Sequence, residues 1–176
     1  DATAAYLNAT PLKPIYGTVT RGLGMDDAVV CWKKSIYGYP PAGRDWWQLL
    51  CKWKESIGFT ESKADMCLSF LRKGDDFAYM VTIVDDILVA SNSTTMLQDI
   101  EKSFLGRFTG ESSGSATQYG GIGVVRDREK GTVKIFQTRL IDQILKAARL
   151  EDANTSPTPM VGNIELVPKP PDESTR

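Results

Sequence analysis

Apolar positions along the chain change their period several times, and each change marks an element. Residues 1–30 open with a short apolar-rich stretch, and Pro and Gly punctuate residues 11–24, which reads as loop or edge strand. From Arg44 the spacing becomes helical: Trp46, Leu49, Leu50, Trp53 and Ile57 fall on one face, and Gly58 stands where a left-handed cap is wanted. Two apolar runs follow, residues 67–71 and 77–84, separated by Lys73-Gly74-Asp75-Asp76, so they predict a hairpin. A third run, residues 87–90, comes after Asp85-Asp86. Ser93 then caps a helix predicted to bury Met96, Leu97, Ile100 and Phe104.

Residues 109–117 are polar and read as a linker-like loop. Strands are predicted over 122–125 and 132–137, hinged by a charged turn at 127–131. The last helix, about 139–150, is expected to bury Leu140, Ile141, Ile144, Leu145 and Ala148, and a Pro-rich tail follows from residue 156. The order of elements predicts an α+β fold, an antiparallel sheet with helices on one face.

Composition narrows the chemistry. The 176 residues are 41% hydrophobic and 24% charged, with 21 Lys+Arg against 22 Asp+Glu, values of a globular chain. No apolar stretch approaches the roughly 18 residues of a membrane-spanning helix. The chain begins at Asp1, with no initiator Met or signal-like run, and so reads as cut from something longer. There is no histidine, which removes Ser-His-Asp and Cys-His nucleophile systems, His general bases and imidazole metal sites. Cys31, Cys51 and Cys67 form no CxxC pair and are odd in number. They read as buried thiols in an intracellular reducing compartment, cytoplasm or nucleus. Catalysis, if any, rests on carboxylates, Lys/Arg, hydroxyls or oxygen-ligated metals such as Mg²⁺.

Three Asp-Asp pairs occur. Asp26-Asp27 and Asp75-Asp76 lie in turn-like surroundings, where solvated Asp is sufficient explanation. Asp85-Asp86 is pressed by apolar residues on both sides. Two carboxylates about 4 Å apart repel by roughly 4 kcal/mol at an effective dielectric near 20. Either a divalent metal pair compensates them, as in two-metal phosphoryl transfer, or the pair is a hairpin tip screened by water. Both readings stand on the residues alone.

At this point several stretches, in order, resemble one family: residues 1–8, Cys31-Trp-Lys-Lys-Ser-Ile-Tyr37-Gly38, residues 62–68, residues 83–90, residues 126–131 and Thr158-Pro159-Met160. Over roughly residues 1–160 the chain is similar to the reverse transcriptase of copia-type LTR retrotransposon Pol polyproteins. The resemblance implies an antiparallel palm sheet with helices packed on one face over residues 1–110. It implies a primer-grip hairpin and thumb-like helix over 111–155, with a tail or linker over 156–176. It implies catalytic and metal-holding Asp1, Asp85 and Asp86, taking two Mg²⁺ or Mn²⁺ ions. Tyr6, Pro41 and Ala42 correspond to nucleotide-binding positions, although Tyr6 also suits an ordinary core tyrosine. Lys33, Lys34, Arg44, Gly121, Arg126 and Arg139 would contact nucleic acid. The partners implied are an RNA/DNA template–primer and, in the polyprotein, fingers and RNase H segments.

Two segments are basic: Lys33, Lys34, Arg44, Lys52 and Lys54 against Asp45, and Arg126, Arg128, Lys130, Lys134, Arg139, Lys146 and Arg149 against Asp127, Glu129 and Asp142. They suit a nucleic-acid backbone or a plain solvated face. Some motif positions depart from the family pattern. Ile83 replaces an aromatic, Pro41 and Gly43 flank Ala42 where a Gln is usual, and Gly120, Gly121 and Gly123 interrupt the primer-gripping strand. The leading expectation is therefore an RNA-directed DNA polymerase fragment with impaired activity as an isolated chain. The alternative is an inactive derivative serving as an interaction subunit of a protein assembly. A small RNA-binding module is a third reading.

Overall fold

The computed structural model describes residues 1–19, 22, 25 and 28–158; Asp26-Asp27 and nearly all of the Pro-rich tail lie outside the described residues. The chain divides into two units, Asp1–Phe136 and Gln137–Arg176. The first begins with a single helical turn, α1 (Ala5–Asn8), and a two-stranded ribbon of β1 (Ile15–Thr18) and β2 (Val29–Trp32). Helix α2 (Ala42–Ser56) ends as its spacing predicts: Gly58 adopts φ 97° and its amide bonds the Glu55 carbonyl.

A four-stranded antiparallel sheet follows, in the order β3 (Thr60–Glu61), β4 (Leu68–Lys73), β5 (Asp76–Ile83) and β6 (Asp86–Ser91). The β4–β5 turn falls on Gly74-Asp75, so Asp75-Asp76 is the turn pair the sequence suggests. Helix α3 (Thr94–Arg107) starts at Ser93, whose side chain accepts from the Met96 amide. The alternation of the strands decides which face is covered. Ser69, Leu71, Ala78, Met80 and Thr82 are buried, whereas Phe70, Phe77, Tyr79 and Ile83 are exposed. Against the buried face stand Trp46, Leu50 and Trp53 of α2 and Met96, Ile100 and Phe104 of α3, together with Ala2, Ala5, Ala9 and Phe108. Trp53 meets Phe104 and Phe108 edge-on, with ring centroids 5.4 and 5.8 Å apart. The α+β architecture with helices on one sheet face is thus the one the pattern predicts.

A second sheet holds β7 (Gln118–Tyr119), β8 (Ile122–Asp127) and β9 (Thr132–Phe136). Here the structure corrects one expectation: Gly120 and Gly121 do not interrupt a strand but lie between two. Gly120 and Gly121, at φ 53° and 81°, form the two-residue β7–β8 turn, which needs positive φ at both positions. Gly123 lies opposite Phe136, and a β-carbon there would sit 2.5 Å from that ring. The glycines therefore serve a turn and a close approach.

Four other expectations are corrected. Residues 109–111 are not a free linker, because Gly110 bridges Ala2, the Thr3 amide bonds the Thr109 carbonyl and the Glu111 amide bonds the Asp1 carbonyl. Cys31 and Cys67 are exposed, and only Cys51 is buried; short apolar runs also occur on strands with one wet face. Lys54 leaves the proposed basic patch, being 1% exposed, with Nζ 2.9 Å from Ser69 Oγ and 3.3 Å from Glu61 Oε1. Helical spacing turns it inward, where a hydroxyl and a carboxylate satisfy its charge.

In the second unit, α4 (Thr138–Ala148) buries none of its residues: Leu140, Ile141 and Ile144 are exposed, Ala148 with them, and Leu145 is half-buried. An amphipathic helix buries its stripe only against a second layer, and this unit's described residues provide none.

Candidate functional site

The Asp85-Asp86 pair lies at the tip of the β5–β6 hairpin. Ile83 pairs with Asp86, leaving Val84 and Asp85 as a two-residue turn. Val84 adopts φ 52°, a rare conformation for a β-branched residue and one that costs of order 1–3 kcal/mol. Positive φ at the first turn position alone is the pattern of a type II′ turn, where Gly is the usual occupant. The turn is held from the helix side, because Trp46 Nε1 donates to the Val84 carbonyl at 2.6 Å. Asp85 is exposed and Asp86 half-buried, so water screens their repulsion and the fold needs no bound cation to tolerate the pair.

Asp1 joins this tip through the backbone. The Ala2 amide donates to the Asp85 carbonyl at 3.0 Å, while the Asp1 carbonyl accepts from the Glu111 amide at 3.0 Å. The exposed Asp1 side chain therefore belongs to the same locality as Asp85 and Asp86, residues 84 and 85 positions away. Three carboxylates are the hard oxygen donors that Mg²⁺ or Mn²⁺ takes, so the donor chemistry and the backbone arrangement fit such ions. The side chains do not close on a common point: among the described residues no group of three or more His, Cys, Asp or Glu is arranged to hold a metal.

Tyr119 is a neighbour that the sequence reading missed. Its hydroxyl is buried and has no hydrogen-bond partner among the described residues. Burial first, then the negative charges of Asp86 and Cys67, push it up to about 12. A β-carbon on the next residue, Gly120, would lie 2.9 Å from Ile83 Cδ1, so the β7–β8 turn sits against the strand that carries the tip. No motif in the sequence marks this approach. Its only signal is the Gly-Gly turn that aims Tyr119.

Of the other candidate residues, Tyr6 is half-buried, its ring 4.8 Å from that of Tyr37 and its hydroxyl 3.7 Å from where a β-carbon on Gly43 would be. It thus faces the first turn of α2, beside Pro41 and Ala42. Pro41 is exposed, whereas Ala42 is buried and its methyl group points into the protein. Lys33, Lys34 and Arg44 are exposed, with Lys34 Nζ bonding the Asn8 carbonyl at 2.9 Å. Gly121 and Arg126 lie exposed on the second sheet, and Arg139 is exposed on α4 in the other unit. Among the described residues no helix is long and apolar enough to cross a membrane.

Comparison with known proteins bears on the chain as a whole. The chain is 24% identical over 173 residues to the retrovirus-related Pol polyprotein from transposon TNT 1-94 of Nicotiana tabacum, covering 96% of this chain and 13% of that protein. It is 28% identical over 169 residues to the Pol polyprotein from transposon RE1 of Arabidopsis thaliana, covering 94% and 11%. It is also 25% identical over 158 residues to the putative transposon Ty5-1 protein YCL074W of Saccharomyces cerevisiae, covering 88% and 50%. The chain therefore spans only 11–13% of the length of these plant relatives. No solved structure matches it. The family model described as reverse transcriptase (RNA-dependent DNA polymerase) matches residues 1–162, which include the acidic tip, Asp1 and all the described strands of the first unit. A match of that extent, on a sheet whose hairpin ends in paired aspartates, shows that the chain belongs to the reverse transcriptase family.

Proposed function

We propose that this chain is the reverse transcriptase segment of a copia-type retrotransposon Pol polyprotein and carries the centre for two-metal nucleotidyl transfer. The observation that carries the reading is the Ala2–Asp85 backbone bond, which brings Asp1 beside Asp85-Asp86. Asp1, Asp85 and Asp86 would hold two Mg²⁺ or Mn²⁺ ions, which lower the pKa of a primer 3′-hydroxyl and neutralise charge on the transferring phosphoryl group. The protein's part is positioning. Trp46 fixes the turn, the carboxylates supply the negative field, and Tyr6 and Pro41 lie together where α2 begins. An RNA/DNA template–primer would approach along the exposed Lys33, Lys34, Arg44 and Arg126.

Activity of the isolated chain is expected to be weak. Pro41 has neither a side-chain donor nor a backbone N–H to offer a nucleotide, and Gly123 has no side chain to pack on a primer. Template–primer extension with Mg²⁺ or Mn²⁺ tests both statements. Slow extension abolished by Asp85→Ala/Asp86→Ala supports the proposal, and robust extension abolished by the same change removes the impairment. Absence of extension together with absence of saturable Mn²⁺ binding overturns the catalytic reading. That result favours the second one, an interaction subunit, for which the open carboxylate arrangement at the tip is the supporting observation.

A further inference from the structure

On the open face of the four-stranded sheet, a donor without an acceptor lies near an acceptor without a donor. The donor is the Tyr119 hydroxyl, buried and unpartnered among the described residues. The acceptor is the half-buried Asp86 carboxylate, which no hydrogen bond or ion pair reaches among the described residues. A phenol keeps its proton at neutral pH and can donate it, whereas an ionised carboxylate only accepts. Left apart, the hydroxyl carries the cost of a buried polar group that makes no bond.

Register puts the two groups at one end of one face. Ile83 and Asp86 form the last pair of the β5–β6 ladder, and side chains of directly paired residues rise on the same side of a sheet. That side is the open one, since Tyr79 and Ile83 are exposed whereas Met80 and Thr82 are buried. The β7–β8 turn rests there: a β-carbon on Gly120 would lie 2.9 Å from Ile83 Cδ1. Tyr119, the residue before that glycine, is thus delivered to the Ile83–Asp86 pair. Among the charges that act on Tyr119, that of Asp86 comes first and that of Cys67 second. Cys67 competes poorly as an acceptor. Its carbonyl already accepts from the Thr82 amide and hydroxyl, at 3.1 and 3.3 Å, and a thiol is a weak acceptor.

We propose, on the reading of the acidic tip as a divalent-metal centre, that Tyr119 is a positioning residue whose hydroxyl donates to one Asp86 carboxylate oxygen. Asp86 stands next to a two-residue turn, and no other described side chain fixes its carboxylate. A charge-assisted bond to one oxygen holds the carboxylate plane and leaves the other oxygen for a hard cation. In this role Tyr119 touches neither substrate nor metal and acts only through Asp86.

Mn²⁺ titration of the whole chain without nucleic acid, followed by the EPR signal of the free ion, tests this role. Tyr119→Phe keeps the ring and removes the hydroxyl, and urea unfolding checks that the variant is folded. It is expected to weaken Mn²⁺ binding by about tenfold or more, whereas Tyr79→Phe, on the same open face, binds as the unaltered chain does. A loss of global stability does not lower the affinity of molecules that are folded, and a grip on a primer does not show without one. Unchanged Mn²⁺ affinity in folded Tyr119→Phe overturns the role of Tyr119 and leaves the metal centre standing. Equal weakening in Tyr79→Phe overturns it too, since the effect then does not pass through Asp86. Absence of saturable Mn²⁺ binding in the unaltered chain overturns the metal centre and the role together.

Discussion

The indole nitrogen of Trp46 and the carbonyl oxygen of Val84 are 2.6 Å apart, a hydrogen bond that links the helix layer to the strained residue of the acidic turn. Trp46 is otherwise a core residue, 2% exposed and packed edge-on against Phe108 at 5.2 Å. One side chain thus both fills the core and fixes the turn.

Trp46→Phe separates these roles, since it keeps an aromatic ring and removes the donor. Urea unfolding is expected to show a loss of about 1–3 kcal/mol, from the bond and the smaller ring together. Primer extension should fall further than that stability loss explains at temperatures where the variant is fully folded. Unchanged extension in a folded variant would show that the bond does not orient the turn.

Cys51 gives a pH signature. Burial, then its hydrogen bond to Glu61 at 2.7 Å, raises its thiol from 9.0 to about 12. A raised folded value favours the protonated form, so this contribution to stability is complete below pH 9.0 and is lost as pH rises towards 12. Glu61 runs the other way. The Cys51 thiol, and after it Lys54, hold its carboxyl below 4.5, so its contribution is complete above pH 4.5 and is lost as pH falls through the depressed value. Cys51→Ser is expected to flatten the alkaline limb of the unfolding free energy while keeping a donor for Glu61. In the native protein at pH 8, an aromatic disulfide reagent should label Cys31 and Cys67 and spare Cys51.

Tyr119→Phe removes a buried hydroxyl that has no partner among the described residues. Stability is expected to stay level or rise by up to about 1 kcal/mol in urea unfolding. A loss larger than that would reveal a bond from the hydroxyl to the acidic tip.

The periodic parts of this fold are legible because periodicity records burial. Trp46, Leu50 and Trp53 announce α2 and its inner face, and Ser93 announces the start of α3. The β5–β6 tip is legible only in part, since the residues alone leave a water-screened turn and a metal-compensated pair both open. Features that depend on distant partners are not. Lys54 reads as a surface cation until Ser69 and Glu61 arrive from other strands. Residues 109–111 read as a linker because their partner, the stretch 1–3, contributes only backbone groups, which leave no trace in side-chain pattern. The stripe on α4 shows the converse: amphipathicity states a capacity to be buried, which is not burial itself.

The clasp between residues 1–3 and residues 109–111 also sets an order of events. Ala2 meets Asp85 and Gly110, so the loops it closes span most of the unit. Such closures are slow, because chain entropy is lost before any contact repays it. On the ribosome, Asp1 cannot reach its place until more than a hundred later residues have emerged. The helices and the β4–β5–β6 meander can form from local contacts before then. The acidic turn is therefore built early and the Asp1 backbone joins it last, so the Ala2–Asp85 bond reports that the whole unit has folded.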